Sequence, residues 1–215
     1  IAREKKKIYL VTGPASSDFT GKMCSPYSVH FSYDTYALAH GTGGALTKAG
    51  GKTWFFVTAD YAFGYALERD TIAAVEASGG KVLGKVRAPL GTADFSSYLL
   101  QAKSSGAKVI GLANAGTDLQ NCIKQAAEFG MTKGGKQIAT LLMQISDVNS
   151  LGQKVCEGLN YTDSFYWDMT DKTRAWSKRW GAKMDGMVPG LLHAGSYCAA
   201  YHWLKGVKAA GSTDA

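Results

Sequence analysis

The sequence lacks the features that define several common classes of protein. It contains no apolar run of about 18 residues, the length that a membrane-spanning helix requires. Its four cysteines include no Cys-x-x-Cys pair, which disfavours a zinc site or a redox motif. Its four histidines are isolated, so the paired-histidine motifs of metal sites are absent. We therefore predict no metal site, no catalytic residue and no cofactor.

Clustered positive charge is lacking as well, although the chain has a net charge of +7. The one basic run is Arg3 to Lys7, which Glu4 interrupts, and the other lysines and arginines are scattered. A nucleic-acid site requires clustered charge. We therefore interpret the basic excess as a solvated surface and predict no nucleic-acid partner.

The cysteines are Cys24, Cys122, Cys156 and Cys198. An even number is compatible with two disulfides in an oxidising compartment and equally with buried free thiols. The sequence leaves both alternatives open. The first segment, Ile1 to Lys7, is typical of the end of a helix, and no secretory segment precedes it. We therefore expect the chain to be part of a longer protein.

What the sequence does contain is a regular alternation of strand-like and helix-like segments. Strands are predicted at Ile8–Val11, Thr53–Val57, Lys81–Val86, Lys108–Leu112, Ile138–Leu142 and Leu159–Tyr161. Helices are predicted at Tyr36–Lys48, Tyr65–Ala77, Phe95–Ser104, Leu119–Phe129, Asn149–Val155, Asp171–Met184 and Ala194–Ala209. This alternation is typical of βαβ units and predicts an α/β fold with parallel sheets flanked by helices.

The alternation ends near Tyr166, because the last two predicted helices have no strand between them. This break predicts a crossover between two lobes near Tyr166. Within this scheme Gly79-Gly80 and Gly130 are expected at helix C-termini, and Asp94 and Asp118 at helix N-caps.

Polar or aromatic loops follow several predicted strands at their carboxyl ends, where open α/β sheets bind ligands. These loops are Thr12–Asp18, Asp60–Gly64, Ala113–Asp118 and Gln144–Asp147. The backbone amides and hydroxyls of the first loop suit a carboxylate. The rings of Tyr61 and Phe63 in the second suit an apolar or aromatic ligand body. Asp34, at a helix start, is either an N-cap or a residue that orients the ligand.

One enzyme alternative is a nicotinamide-dependent oxidoreductase. Val11-Thr12-Gly13 after a strand and the pair Tyr201 and Lys205 superficially resemble a short-chain dehydrogenase. However, the phosphate loop of that family needs glycines where this chain has Ser17 and Phe19, and the Tyr-Lys pair is almost terminal. Nucleophile-elbow and phosphate-loop motifs are also absent, so we predict that the protein is not an enzyme.

Six segments together resemble type 1 periplasmic substrate-binding proteins of ABC importers, in the leucine/isoleucine/valine-binding branch. They are Gly13–Thr20, Tyr33–Tyr36, Asp60–Gly64, Gly79–Val82, Thr92–Ser97 and Lys124–Gly130. The resemblance implies a two-lobed receptor, with residues 1–45 as the end of the first lobe and the first crossover, 46–166 as the second lobe and 167–215 as the return into the first lobe. One lobe would thus be incomplete in this chain, and the receptor would be exported to the periplasm by a signal peptide not present here. It also implies closure by a hinge on a small carboxylate and delivery to an ABC-importer membrane permease.

The same resemblance implies a set of ligand-binding residues. Ala15, Ser16 and Ser17 would hold the carboxylate, Asp34 would fix the polar end, and Phe63 with Tyr61 would contact the ligand body. From the opposite lobe the ligand would be contacted by Asn114, Gln144 and Asp147. Where amino-acid binders often have a tyrosine this chain has Ala115-Gly116, so an amino acid and a small aromatic acid both stay open as ligands. A ligand-sensing ectodomain would share this fold and also stays open.

Overall fold

A computed structural model describes residues 1–214 and divides the chain into two units. The terminal unit comprises Ile1–Asp34 and the chain from Asp163 onward, and the central unit is the continuous segment Thr35–Thr162. Residues 35–45, expected in the first segment, group with the central unit because their helical turns pack against a helix of that unit. Residues 163–166 group with the terminal unit.

The terminal unit, as far as residue 214, contains two strands and three helices. Its elements are α1 (Ala2–Lys5), β1 (Tyr9–Val11), a 3-10 turn (Ser17–Phe19), β2 (Ser28–His30), α9 (Asp171–Gly181) and α10 (Leu191–Ala210). Strands β1 and β2 pair in parallel. The sequence did not predict β2, because a three-residue strand with one apolar side chain, the exposed Val29, has no readable pattern.

The central unit is built on a four-stranded sheet with the order β4-β3-β5-β6, and every pair in it is parallel. The strands are β3 (Thr53–Ala59), β4 (Lys81–Ala88), β5 (Val109–Ala113) and β6 (Gln137–Thr140). The helices are α2 (Thr35–Leu38), α3 (Ala45–Lys48), α4 (Ala62–Ala77), α5 (Ser96–Ser104), α6 (Gly116–Glu128), α7 (Ile145–Leu151) and α8 (Gln153–Cys156). Parallel sheets flanked by helices confirm the predicted α/β class.

Burial explains which strands the sequence reveals. Strands β3 and β5 occupy the middle of the sheet, are buried on both faces and read as continuous apolar runs. Strand β4 lies at an edge and alternates between exposed and half-buried residues. The predicted strand Leu159–Tyr161 is wrong, since it contributes only a single bridge between Ala139 and Asn160.

Gly79 and Gly130 follow the ends of α4 and α6 with positive φ, as predicted.

A π-helical segment, Ala39–Gly44, joins α2 to α3. Two of its glycines permit close packing: a Cβ on Gly41 would lie 2.3 Å from Thr162 Oγ1, and a Cβ on Gly43 would lie 2.7 Å from Thr71 Cγ2. Between these glycines, the hydroxyls of Thr42 and Thr162 are 2.8 Å apart. The hydrogen bond links the beginning of the central unit to its last residue.

All four cysteines are thiols rather than disulfides; Cys24 and Cys198 are exposed, and Cys122 is buried. None of the helices in the part of the chain that the structure describes has the length and apolar character needed to cross a bilayer.

Candidate functional site

The carboxyl edge of the central sheet carries the aromatic pair that the sequence predicts. Residues Tyr61 and Phe63 follow β3, and their ring centroids are 5.8 Å apart. Tyr61 is partly exposed, and its pKa is raised by burial and, to a smaller extent, by the negative charge of Asp118. Two ring faces at this edge can contact an apolar or aromatic group.

Gly64 fixes where the aromatic pair lies. A Cβ at this position would lie 2.0 Å from the carbonyl oxygen of Ala59, the last residue of β3. The first turn of α4 can therefore approach the strand end this closely only with glycine at this position. Glycine at position 64 is thus required by close packing, and it places the Phe63 ring immediately after the strand.

Helices α4 and α6 both begin at this edge. Their N-cap residues are Tyr61 and Ala115, and neither helix receives a capping hydrogen bond from an N-cap side chain within the described residues. The first backbone N–H groups of both helices are therefore not satisfied by caps of this kind, and both helices bring the positive end of their dipoles to the edge.

Asn114 lies between β5 and α6 and is only 1% exposed. Its amide nitrogen and oxygen have no hydrogen-bond partner among residues 1–214. Close to it lies the thiol of Cys122, whose pKa the Asn114 side chain lowers against the effect of burial. An unsatisfied buried amide costs free energy, which marks this position as one where a hydrogen-bonding partner would be stabilising.

Burial raises the pKa of the Cys122 thiol to about 12, with Asn114 opposing the rise and Asp118 adding to it. In the unfolded chain this thiol loses its proton near its ordinary pKa of about 8.5. Between these two values the unfolded state binds fewer protons than the folded state, so the free energy of unfolding decreases as the pH rises, by up to about 1.4 kcal/mol per pH unit. We expect urea denaturation of wild type and Cys122→Ala to diverge above pH 9 for this reason. Parallel pH profiles of the two proteins would contradict the assignment.

Gln144 and Asp147 form a capping box at the start of α7. The Asp147 carboxylate is 5% exposed, and its two oxygens accept hydrogen bonds from the Gln120 side chain at 2.8 Å and from the Gln144 backbone N–H at 2.9 Å. The structure therefore gives both residues a structural task at the sheet edge. The family resemblance implied both as ligand contacts; the hydrogen bond to Asp147 from Gln120, 27 residues away along the chain, could not be read from the sequence.

Asp118 is a site residue that the sequence analysis did not include. It was predicted as an N-cap, which is wrong, because α6 begins two residues earlier, at Gly116. Its carboxylate, 6% exposed, accepts a hydrogen bond from the Gly91 N–H at 3.1 Å and raises the pKa of Tyr61. The signal that could have revealed it is an acidic residue in the first turn of a helix that follows a buried strand. Asp94, also predicted as an N-cap, lies one residue before the N-cap Phe95 of α5, and its carboxylate accepts the Ser96 N–H at 2.8 Å.

The terminal unit contains the remaining predicted residues. Ala15 is 3% exposed, and Ser16 Oγ accepts the Asp18 N–H at 3.3 Å at the start of the 3-10 turn. The hydroxyl of Tyr33 donates to the Gly13 carbonyl oxygen at 3.0 Å and so fixes the preceding part of the loop. Ser17 is the first residue of the turn, and Asp34 directly precedes α2.

The Tyr-Lys pair of the oxidoreductase alternative lies on α10. The Lys205 Nζ sits 4.6 Å from the centroid of the Tyr201 ring, in a cation–π contact, and Tyr201 is 50% exposed. The Tyr201 ring therefore contacts the neighbouring Lys205 on an exposed helix surface.

Comparisons with known proteins identify the family and relatives that this chain resembles. The sequence profile of the family described as "Periplasmic binding protein" matches residues 1–215. A curated relative, "Leu/Ile/Val-binding protein homolog 6" of Brucella melitensis, is 31% identical over 147 residues, which are 67% of this chain and 37% of the relative.

Two solved structures are similar over almost the whole chain. A periplasmic binding protein from Burkholderia mallei has a TM-score of 0.96 and 54% identity, covering 99% of this chain and 56% of that one. A branched chain amino acid ABC transporter periplasmic ligand-binding protein from Burkholderia xenovorans LB400 has a TM-score of 0.86 and 39% identity, covering 99% and 57%. The chain thus spans a little over half the length of these solved proteins, and about a third of the curated relative aligns with it.

Proposed function

The chain belongs to the periplasmic binding protein family, and we propose that it forms part of a periplasmic receptor that holds a small carboxylate for an ABC importer. In this proposal the receptor closes on an amino acid or a small aromatic acid by a hinge motion and delivers it to the membrane permease. Membership of the periplasmic binding protein family confirms the resemblance seen in the sequence. The members of this family are binding proteins and not enzymes, so we reject the oxidoreductase alternative.

The observation that carries the proposal is the loop from Gly13 to Ser17. It combines a buried alanine and two hydroxyls with a tight turn at its end, and the Tyr33 hydroxyl fixes its first residue, Gly13. The Ser16 hydroxyl accepts a backbone hydrogen bond here, and a hydroxyl can donate its own proton at the same time. Such donors suit a carboxylate, because hydrogen bonds to a charged acceptor are stronger than those to a neutral one.

The central unit supports the apolar part of the ligand. The rings of Tyr61 and Phe63 lie together at the carboxyl edge of the sheet, next to the start of α4. Aromatic rings contribute large contact areas and favour flat or apolar ligand bodies. We assign the ligand body to these rings on this basis.

The proposal predicts that Ser16→Ala weakens binding of the preferred carboxylate about tenfold. The substitution removes one charge-assisted hydrogen bond, whose contribution is about 1.5 kcal/mol. Calorimetric titration of the intact protein with branched-chain amino acids, benzoate and 4-hydroxybenzoate would measure the change.

A matched control is Ser25→Ala. Ser25 Oγ accepts the Tyr27 N–H at 3.2 Å, two residues further on, in the same geometry that Ser16 has with Asp18. The control therefore removes an equivalent turn hydrogen bond outside the proposed site and should leave affinity unchanged. Equal losses of affinity in both variants would show that the titration reports the stability of the turn and not a contact with the ligand. Wild-type affinity in Ser16→Ala would show that the ligand carboxylate does not bind to this loop.

A further inference from the structure

A row of lysines lies along the amino edge of the central sheet, at the opposite end of the strands from the loops of the candidate site. Each of the four strands begins at a lysine or directly after one. In chain order these lysines are Lys52, Lys81, Lys108 and Lys136. We propose that this edge is a binding surface for an anionic membrane, held by lysine charges and by one exposed aromatic side chain. All the residues involved belong to the central unit.

The register of the sheet brings the four lysines into one line. Lys81 pairs with Thr53, the neighbour of Lys52, and its N–H donates to the Lys52 carbonyl oxygen at 2.8 Å. The N–H of Lys108 donates to the Thr53 carbonyl oxygen at 3.1 Å. Lys108 and Lys136 directly precede residues that pair between β5 and β6. Neighbouring strands lie about 4.8 Å apart, so the row is about 15 Å long.

The sequence hides this row because one lysine occurs in each strand-helix repeat. Along the chain the four lysines are 27 to 29 residues apart, so they look like scattered charges. All strands of a parallel sheet start at the same edge, and the fold therefore gathers these charges in one place. The scattered, solvated charge expected from the sequence is in this part of the molecule a cluster.

Helix ends hold part of the positive charge at this edge. Three lysine ammonium groups donate to backbone carbonyl oxygens at or shortly after helix C-termini. They are those of Lys52, Lys103 and Lys136, and the acceptors belong to Ser78, Phe129 and Ala107, at 3.1, 3.1 and 2.7 Å. Such contacts cap helices, which gives these three lysines a structural role as well. Each bond uses one of three ammonium protons, so the charge can still attract an anion.

The other lysines at this edge have no such task. They are exposed, and their side chains form no hydrogen bond or ion pair with residues 1–214; they are Lys48, Lys81, Lys108 and Lys133. The acidic residues nearby are the exposed Glu76 and Glu128, in the last turns of α4 and α6, and Glu157, which follows α8. Seven lysines against three glutamates leave a net charge of +4 at the edge.

The chemistry of the edge favours a membrane over a nucleic acid. Its cations are lysines, whereas Arg69 lies within α4 and Arg87 near the carboxyl end of β4. Arginine provides bidentate contacts to single phosphates, and lysine is a point charge that suits a diffuse anionic layer. Phe129 is 40% exposed at the C-terminus of α6, close in sequence to Lys133. An aromatic ring among lysines can enter the headgroup region of a bilayer.

Binding through this edge leaves the candidate ligand site free. Strand β3 has seven residues, so about 20 Å separate its lysine end from the end that carries Tyr61 and Phe63. The two surfaces therefore lie at opposite ends of one rigid sheet. A central unit bound to a membrane by its lysines keeps its carboxyl edge open to solvent.

Co-sedimentation of the intact protein with vesicles tests the proposal. At low ionic strength we expect binding to vesicles of equal parts phosphatidylglycerol and phosphatidylcholine and no binding to phosphatidylcholine alone. Salt at about 1 M should abolish the binding, because it screens charges beyond about 3 Å. The double variant Lys81→Gln, Lys108→Gln should bind more than tenfold more weakly, since each lysine near an anionic surface contributes about fivefold.

The matched control is the double variant Lys172→Gln, Lys183→Gln. Both lysines are exposed in the terminal unit, and their replacement lowers the net charge by the same amount. This variant should bind the vesicles as wild type does. Equal losses in the two double variants, or no binding of wild type to the phosphatidylglycerol vesicles, would overturn the proposal. Tighter binding to a double-stranded DNA oligonucleotide than to these vesicles would overturn it in favour of a nucleic acid.

Replacing the exposed aromatic residue tests its part separately. Phe129→Ser should weaken binding to the phosphatidylglycerol vesicles about fivefold and leave the salt dependence unchanged, because only apolar contact is lost. Leu100→Ser is the control: Leu100 is 62% exposed on α5, away from the lysine row, and its loss should leave vesicle affinity unchanged. Wild-type affinity in Phe129→Ser would show that the ring does not enter the membrane.

Discussion

Replacing Gly64 with alanine is expected to destabilise the central unit by about 3 kcal/mol, at the upper end of the cost of overpacking. The new methyl group would lie 2.0 Å from the carbonyl oxygen of Ala59 and 2.9 Å from its carbon. Both contacts are with backbone atoms, so a rotamer change cannot relieve them. The start of α4 would have to move away from the end of β3.

Chemical denaturation followed by circular dichroism would measure the effect. Gly44→Ala is the matched control, because Gly44 has helical dihedral angles of −63° and −44° and a Cβ there would meet only Ser78 Oγ, at 3.6 Å. Alanine should stabilise the unit at that position by about 0.5–1 kcal/mol. A wild-type denaturation midpoint for Gly64→Ala would show that the close approach of helix and strand is not required.

Replacing Phe63 with alanine is expected to weaken ligand binding by about 2–3 kcal/mol, which corresponds to a loss of affinity of roughly 30-fold to 150-fold. The ring is half-buried beside Tyr61 and stands at the sheet edge where the ligand body is assigned. Its truncation removes the apolar contact and leaves Tyr61 without its neighbouring ring. Calorimetric titration with the best-bound carboxylate measures the loss.

Tyr65→Ala serves as the control for that experiment. Tyr65 lies on the same helix and is 39% exposed, but it contacts Asp60 and Arg87 and not the proposed ligand body. Truncating it should leave affinity within about twofold of wild type, a difference of under about 0.5 kcal/mol. If Phe63→Ala binds as wild type does, or if both variants lose affinity equally, the ligand body does not rest on Phe63.

Sequence patterns revealed the parts of the fold that depend on local hydrophobicity. Strands β3 and β5 are buried on both faces, so their apolar runs stand out from their neighbours. Strand β2 is three residues long and has a single apolar side chain, which gives no periodic signal. Strand assignment failed at Leu159–Tyr161 for a related reason, because an apolar or aromatic pair can pack in a core without pairing in a sheet.

Site residues were harder to predict than elements because their partners are distant in sequence. The loops after the strands could be located from the pattern, since parallel strands bring their carboxyl ends to one edge. The role of Asp147 depends on Gln120, and that of Asp118 depends on Gly91, each 27 residues away. No local spacing reveals these partners, so the sequence alone could not assign structural roles to the two carboxylates.

The hydrogen bond between Thr42 and Thr162 also has a consequence for genetic engineering. It brings the last residue of the central unit to within 2.8 Å of a residue near its beginning, while the unit itself is one uninterrupted stretch of sequence, Thr35–Thr162. Segments whose terminal regions lie close together tolerate insertion into a host protein and circular permutation. Residues 35–162 could therefore be transplanted as a single cassette, with a short linker at each junction, or reopened at an exposed loop after their natural ends are joined.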